Sequence, residues 1–111
     1  MENTSTRTNI FLGNAFALQM LDLTDQQTVR VTPVTIGEVA AAPFQSVVGH
    51  ADTAAVLSGM LGREVRFNRT SIHLGRGDVL YVAQVTGGRL PEGATTLPQG
   101  FKLAFVKVEI V

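Results

Sequence analysis

Apolar residues in this chain fall into two periods. Phe101 to Val111 alternates strictly at its centre. Ala104, Val106, Val108 and Ile110 share one parity, while Lys107 and Glu109 take the other, which predicts a strand. Val79 to Val85 is apolar on both parities, as expected of a central strand covered on both faces. Ile10-Phe11-Leu12 is a short buried run ending at a Gly13-Asn14 turn. Val29 and Val31 alternate within Thr28–Thr32, and Pro33 argues against a central position beyond them. Two further alternating pieces, Val65/Phe67 and Ile72/Leu74, read as strands, with a hairpin turn at Gly75-Arg76-Gly77-Asp78.

Helical spacing is clearest after Gly49-His50-Ala51-Asp52. There Ala54, Leu57, Met60 and Leu61 form one stripe, with Asp52 as the expected N-cap and Gly62 as a left-handed C-cap. Ala15–Leu21 has good helix formers behind Asn14, a candidate N-cap. Thr35–Gln45 is ambiguous, and Phe44–Val48 suits either a short helix or an extended piece. About five strands and two to three helices make an α/β (α+β) domain on a single mixed sheet. The domain is expected over residues 9–111, behind a flexible tail at 1–8. Thr86–Gly100 holds four glycines and two prolines in fifteen residues, too long for a plain connection and suited to a lid.

Composition removes several chemistries. With no cysteine, disulfides, thiolate zinc sites and cysteine nucleophiles are excluded. Two histidines cannot form an all-histidine metal cage within one chain, and no cofactor motif is present. No apolar run approaches the ~18 residues that a membrane span needs. A cytosolic protein is therefore expected. Nine basic and nine acidic residues balance, which speaks against coating a long nucleic acid.

His50 stands just before a helix start, where backbone N–H groups favour anions and where an imidazole can move protons. A plainer reading stays open for it, as a solvated residue that hydrogen-bonds locally. His73 reads as a solvent-facing strand residue. Arg89 and Glu92 lie in the lid-like loop, and an arginine there can fork onto phosphate oxygens or merely solvate the loop. Arg63, Arg66, Arg69 and Arg76 crowd into fourteen residues, a pattern that a solvated face would also give.

Four segments together resemble the small viral anti-CRISPR ring nucleases of archaeal and bacterial viruses and their cellular relatives near type III CRISPR loci. They are Phe11-Leu12-Gly13-Asn14-Ala15-Phe16-Ala17-Leu18-Gln19-Met20-Leu21, Val48-Gly49-His50 with the Thr53–Leu61 helix, Asn68-Arg69 with Ile72 and Asp78–Val85, and Arg89-Leu90 with Glu92-Gly93. Each is common alone, but their order and spacing are specific.

The resemblance implies a homodimer that binds cyclic tetra-adenylate, a second messenger, and opens the ring without metal. It implies that His50 is catalytic, with Arg89 and Glu92 on a closing loop. It also implies ligand contacts from Asn14, Gly49, Arg69 and Gln84, and from the position of Ala17. Ala17 departs from the family, which often has serine there, and one hydroxyl donor is lost. That loss leaves open a protein that holds the ring without cutting it. A viral DNA-binding or interaction protein is the third alternative, disfavoured by the neutral charge.

Overall fold

In the computed structural model, which describes residues 9–111, β1 (Ile10–Gly13), β2 (Val29–Val34), β3 (Gln45–Ser46), β4 (Val79–Thr86) and β5 (Lys102–Ile110) form one sheet in the order β2-β5-β4-β1-β3. The expected tail at 1–8 lies outside the described residues. Two helices, α1 (Ile36–Ala41) and α2 (Ala51–Leu61), complete an α+β fold. β1 pairs in parallel with both β3 and β4, whereas β4–β5 and β5–β2 are antiparallel. The sheet therefore has a parallel half and an antiparallel half that meet at β4.

β4 is central, as its two-faced apolar pattern predicts. Its odd positions, Tyr81 and Ala83, join Leu12, Leu57, Val39 and Phe105 in a core beneath the two helices. Its even positions, Leu80 and Val82, join Phe11, Leu21, Leu74, Val108 and Ile110 on the opposite face. Leu12, Leu57 and Leu80 are fully buried. Each contributes about 1.5–3 kcal/mol relative to an exposed side chain. β2 carries Pro33 and forms one edge of the sheet, the place where a residue without an N–H is tolerated.

The ambiguous stretch after Thr35 folds as α1. Thr35 Oγ1 accepts the Glu38 N–H at 3.1 Å, an N-cap that the Thr35-x-x-Glu38 spacing encodes. α2 ends at Gly62 with φ of 69°, the expected left-handed cap. Its N-cap is His50 rather than Asp52, which lies in the first turn.

Three further expectations are corrected. Ala15–Leu21 forms only a 3-10 turn over Leu18–Met20, flanked by extended backbone at Ala17 and Leu21. Asn14 caps no helix, its side chain accepting from Gly49, and the Met20 carbonyl accepts the Leu74 N–H. Val65–Phe67 and Ile72–Leu74 are not strands of the sheet. Phe67 makes a single bridge to Val48, and Leu74 is held by Met20. Without a strand before it, Gly75–Asp78 is a turn but not a hairpin, closed by the Asp78 N–H on the Gly75 carbonyl.

Candidate active site

Parallel neighbours run the same way, so β1, β3 and β4 deliver their carboxyl ends to one edge of the sheet. In open sheets with helices on them, ligands bind outside those ends. Here β1 leads into Asn14, β3 leads through Val47-Val48-Gly49 to His50, and β4 leads through Thr86 into the Thr86–Gly100 loop.

A cleft of about 470 Å³ opens at this edge, lined by His50, Asp52, Thr53, Val85, Gly88, Arg89, Leu90 and Glu92. His50, Arg89 and Glu92 thus come together from two remote segments. His50 makes no side-chain cap to its own helix, which leaves the imidazole uncommitted to that bond. The opening N–H groups of an α-helix have no partner within it, and they give this end of α2 a positive character. Among the described residues, neither Arg89 nor Glu92 has an ion-pair partner.

Asn14, Gly49 and Arg69 form a second group against the same backbone. The Gly49 N–H donates to Asn14 Oδ1 at 3.2 Å, fixing the residue before His50 to the end of β1. A β-carbon on Gly49 would lie 3.5 Å from Arg69 Cγ, so the aliphatic stem of Arg69 runs alongside this glycine. Arg69 itself is exposed.

Ala17 and Gln84 stand apart. Ala17 is extended and precedes the 3-10 turn, its carbonyl accepting the Met20 N–H. Gln84 alternates with Val85, so it lies on the sheet face of Leu80 and Val82, exposed and opposite Ala104. Asn14, Ala17, Gly49, Arg69 and Gln84 do not line the cleft.

Sequence reasoning missed Asp52 and Thr53 as lining residues. Their position in the helical turn after His50 was the available signal. It also missed Gly88, although the Gly87-Gly88 pair marks a backbone bend. At Gly87 φ is 109°, and a β-carbon would lie 2.9 Å from the Gly100 carbonyl oxygen, so glycine is required at the foot of the loop.

A mixed five-stranded sheet with two helices on one face and a cleft beyond its parallel strands defines a small α+β domain. By its match over residues 10–105, the chain belongs to the STIV B116-like family. Its fold is similar to that of B116 of Sulfolobus turreted icosahedral virus, with a TM-score of 0.74 and 22% sequence identity over 91% of this chain and 98% of that one. No curated protein matches the chain. No described helix is long and apolar enough to cross a membrane. Among the described residues, no group of three His, Asp or Glu side chains is placed to hold a metal ion.

Proposed function

We propose that this protein is a metal-independent ring nuclease that binds and cleaves cyclic tetra-adenylate and so switches off type III CRISPR signalling. The observation that carries the reading is the convergence of His50, Arg89 and Glu92 on one cleft at the start of α2. These are the residues that the sequence resemblance puts in the reaction.

An RNA phosphodiester contains its own nucleophile. The 2′-oxygen of one ribose attacks the adjacent phosphorus, the bond from phosphorus to the 5′-oxygen breaks, and a 2′,3′-cyclic phosphate forms. Protonated His50 gives its proton to the departing 5′-oxygen, leaving a 5′-hydroxyl. Glu92, on the same cleft, takes the 2′-hydroxyl proton, and exchange with water resets both groups. Arg89 and the N–H groups at the start of α2 hold the phosphate as charge builds on it. General acid catalysis of this kind is worth about 10²–10⁴-fold.

A two-fold homodimer completes the site. In that dimer two copies of Arg89 in the clefts, with two of Arg69 from beside Gly49, would set four positive charges against the four phosphates of the ring, although each chain is neutral. The test is incubation of the protein with labelled cyclic tetra-adenylate in EDTA. Linear adenylates that vanish in His50→Ala support the nuclease. Tight binding with no product favours a ring-holding protein instead, a reading for which Ala17 is the motive. Absence of binding to rings of any size overturns both.

A further inference from the structure

We propose that Asp52 is a positioning residue that fixes the Thr86–Gly100 loop on α2 and thereby sets Arg89 and Glu92 opposite His50. The inference rests on the nuclease reading for its consequence, but not for its geometry.

Asp52 Oδ1 accepts the Gly93 N–H at 3.0 Å, across forty-one residues of sequence. Gly93 is the third residue of a turn closed by the Ala94 N–H on the Pro91 carbonyl at 3.1 Å, and its φ is 80°. Glycine at that position is what a type II turn requires, and its own N–H is not used by the turn. That N–H is therefore free to be donated outward, and Asp52 receives it. Beyond the turn, the Thr95 carbonyl oxygen lies 3.8 Å from where a β-carbon on Gly59 would be, so the loop continues along α2. At the other end, Gly87 packs against Gly100 and Phe101. The segment Arg89–Glu92 is thus held between two anchors, one at the foot of the loop and one at Asp52.

Charge supports a conformational role. An acidic side chain in a cleft that takes phosphates repels its ligand, so Asp52 is not there to bind it. Its position in the first turn of α2 suits a negative charge, and an ionised acceptor makes the stronger bond to an N–H.

The test compares Asp52→Ala with Asp52→Asn, which keeps an oxygen acceptor and removes the charge. In Asp52→Ala we expect cleavage of saturating cyclic tetra-adenylate to fall about 10–100-fold, the scale on which misplaced catalytic groups act. Asp52→Asn is expected to retain most of the wild-type rate and to bind the ring at least as tightly. Amide exchange in the ligand-free protein gives a readout independent of activity. The Gly93 N–H should be protected in the wild type and in Asp52→Asn, and unprotected in Asp52→Ala. Cleavage by Asp52→Ala at the wild-type rate overturns the inference, as does equal Gly93 exchange in all three proteins. If the wild type cleaves no ring, the nuclease reading fails, and Gly93 exchange alone decides whether Asp52 holds the loop.

Discussion

Asn14 and Gly49 are thirty-five residues apart, yet the side-chain oxygen of one accepts the backbone N–H of the other at 3.2 Å. This bond ties the carboxyl end of β1 to the residue that precedes His50. Replacing Asn14 by alanine removes the acceptor and leaves a half-buried N–H unpaired. The expected loss is about 0.5–1.5 kcal/mol of stability, read from a urea midpoint. Asn14→Asp retains an acceptor and should recover most of it. If Asn14→Ala is as stable as the wild type, the bond is not holding this junction.

Arg89 and Glu92 line the same cleft but should fail in different ways. Arg89→Ala removes a positive charge from the proposed phosphate site, so ring affinity is expected to fall about 10–100-fold, the range for hydrogen bonds to charged groups. The residual binding should also depend less on salt. Glu92→Gln removes the proposed proton acceptor but keeps the shape, so the rate should drop while binding holds or tightens. Equilibrium binding and single-turnover cleavage on both variants separate the two roles.

Gly87→Ala forces a side chain onto a backbone with φ of 109°, 2.9 Å from the Gly100 carbonyl oxygen. Strain of this kind costs on the order of 1–3 kcal/mol. The foot of the loop has to move, and Arg89 moves with it. Cleavage is expected to fall even where thermal melting shows the domain still folded. Unchanged activity would mean that the loop foot does not set the site.

Tyr81 is the only tyrosine in a chain without tryptophan, so tyrosinate absorbance reports it alone. Burial pushes its phenol above the ordinary value of 10.0, and its hydrogen bond to Glu38 at 3.0 Å adds to the rise. The folded state therefore holds the proton to higher pH than the unfolded chain does. That stabilisation is complete below pH 10.0 and is lost as pH rises through the folded value. Tyr81→Phe should remove this alkaline slope and cost about 0.5–1.5 kcal/mol near neutrality, since Glu38 loses its donor. A titration of the wild type centred at or below the ordinary value would contradict the buried bond.

Much of the fold was legible because the relevant signals are local. The two-faced run of β4, the alternation of β5 and the Gly62 cap each depend on a few adjacent residues. Thr35-x-x-Glu38 went unread within the ambiguous stretch after Thr35, and Glu38 turns its carboxylate to Tyr81 instead of closing the capping box on Thr35. The segments 14–21 and 65–74 were misread for one reason. Their hydrogen bonds are spent on each other and on the sheet edge, as in Leu74 to Met20 and Asn68 to Val48, and no local pattern encodes such pairings. For the site, the sequence supplied His50, Arg89 and Glu92 as separate candidates. Their common cleft, and the role of Asp52 in it, depend on where a fifteen-residue loop lies in space.

The pairing pattern of the sheet also carries a kinetic consequence. Only β4 and β5 are neighbours both in sequence and in the sheet, whereas β1 must find β4, with Ile10 opposite Val79. Distant pairings are slow to form because the chain ordered between them costs entropy before any contact is gained. The β4–β5 ribbon is therefore the natural starting point of folding, and β1 docks onto it afterwards. During synthesis, His50 leaves the ribosome well before β4 and the loop that form the other side of its cleft. The cleft can take shape only once the chain has been made past Glu92, so the site arises in one late step rather than piece by piece.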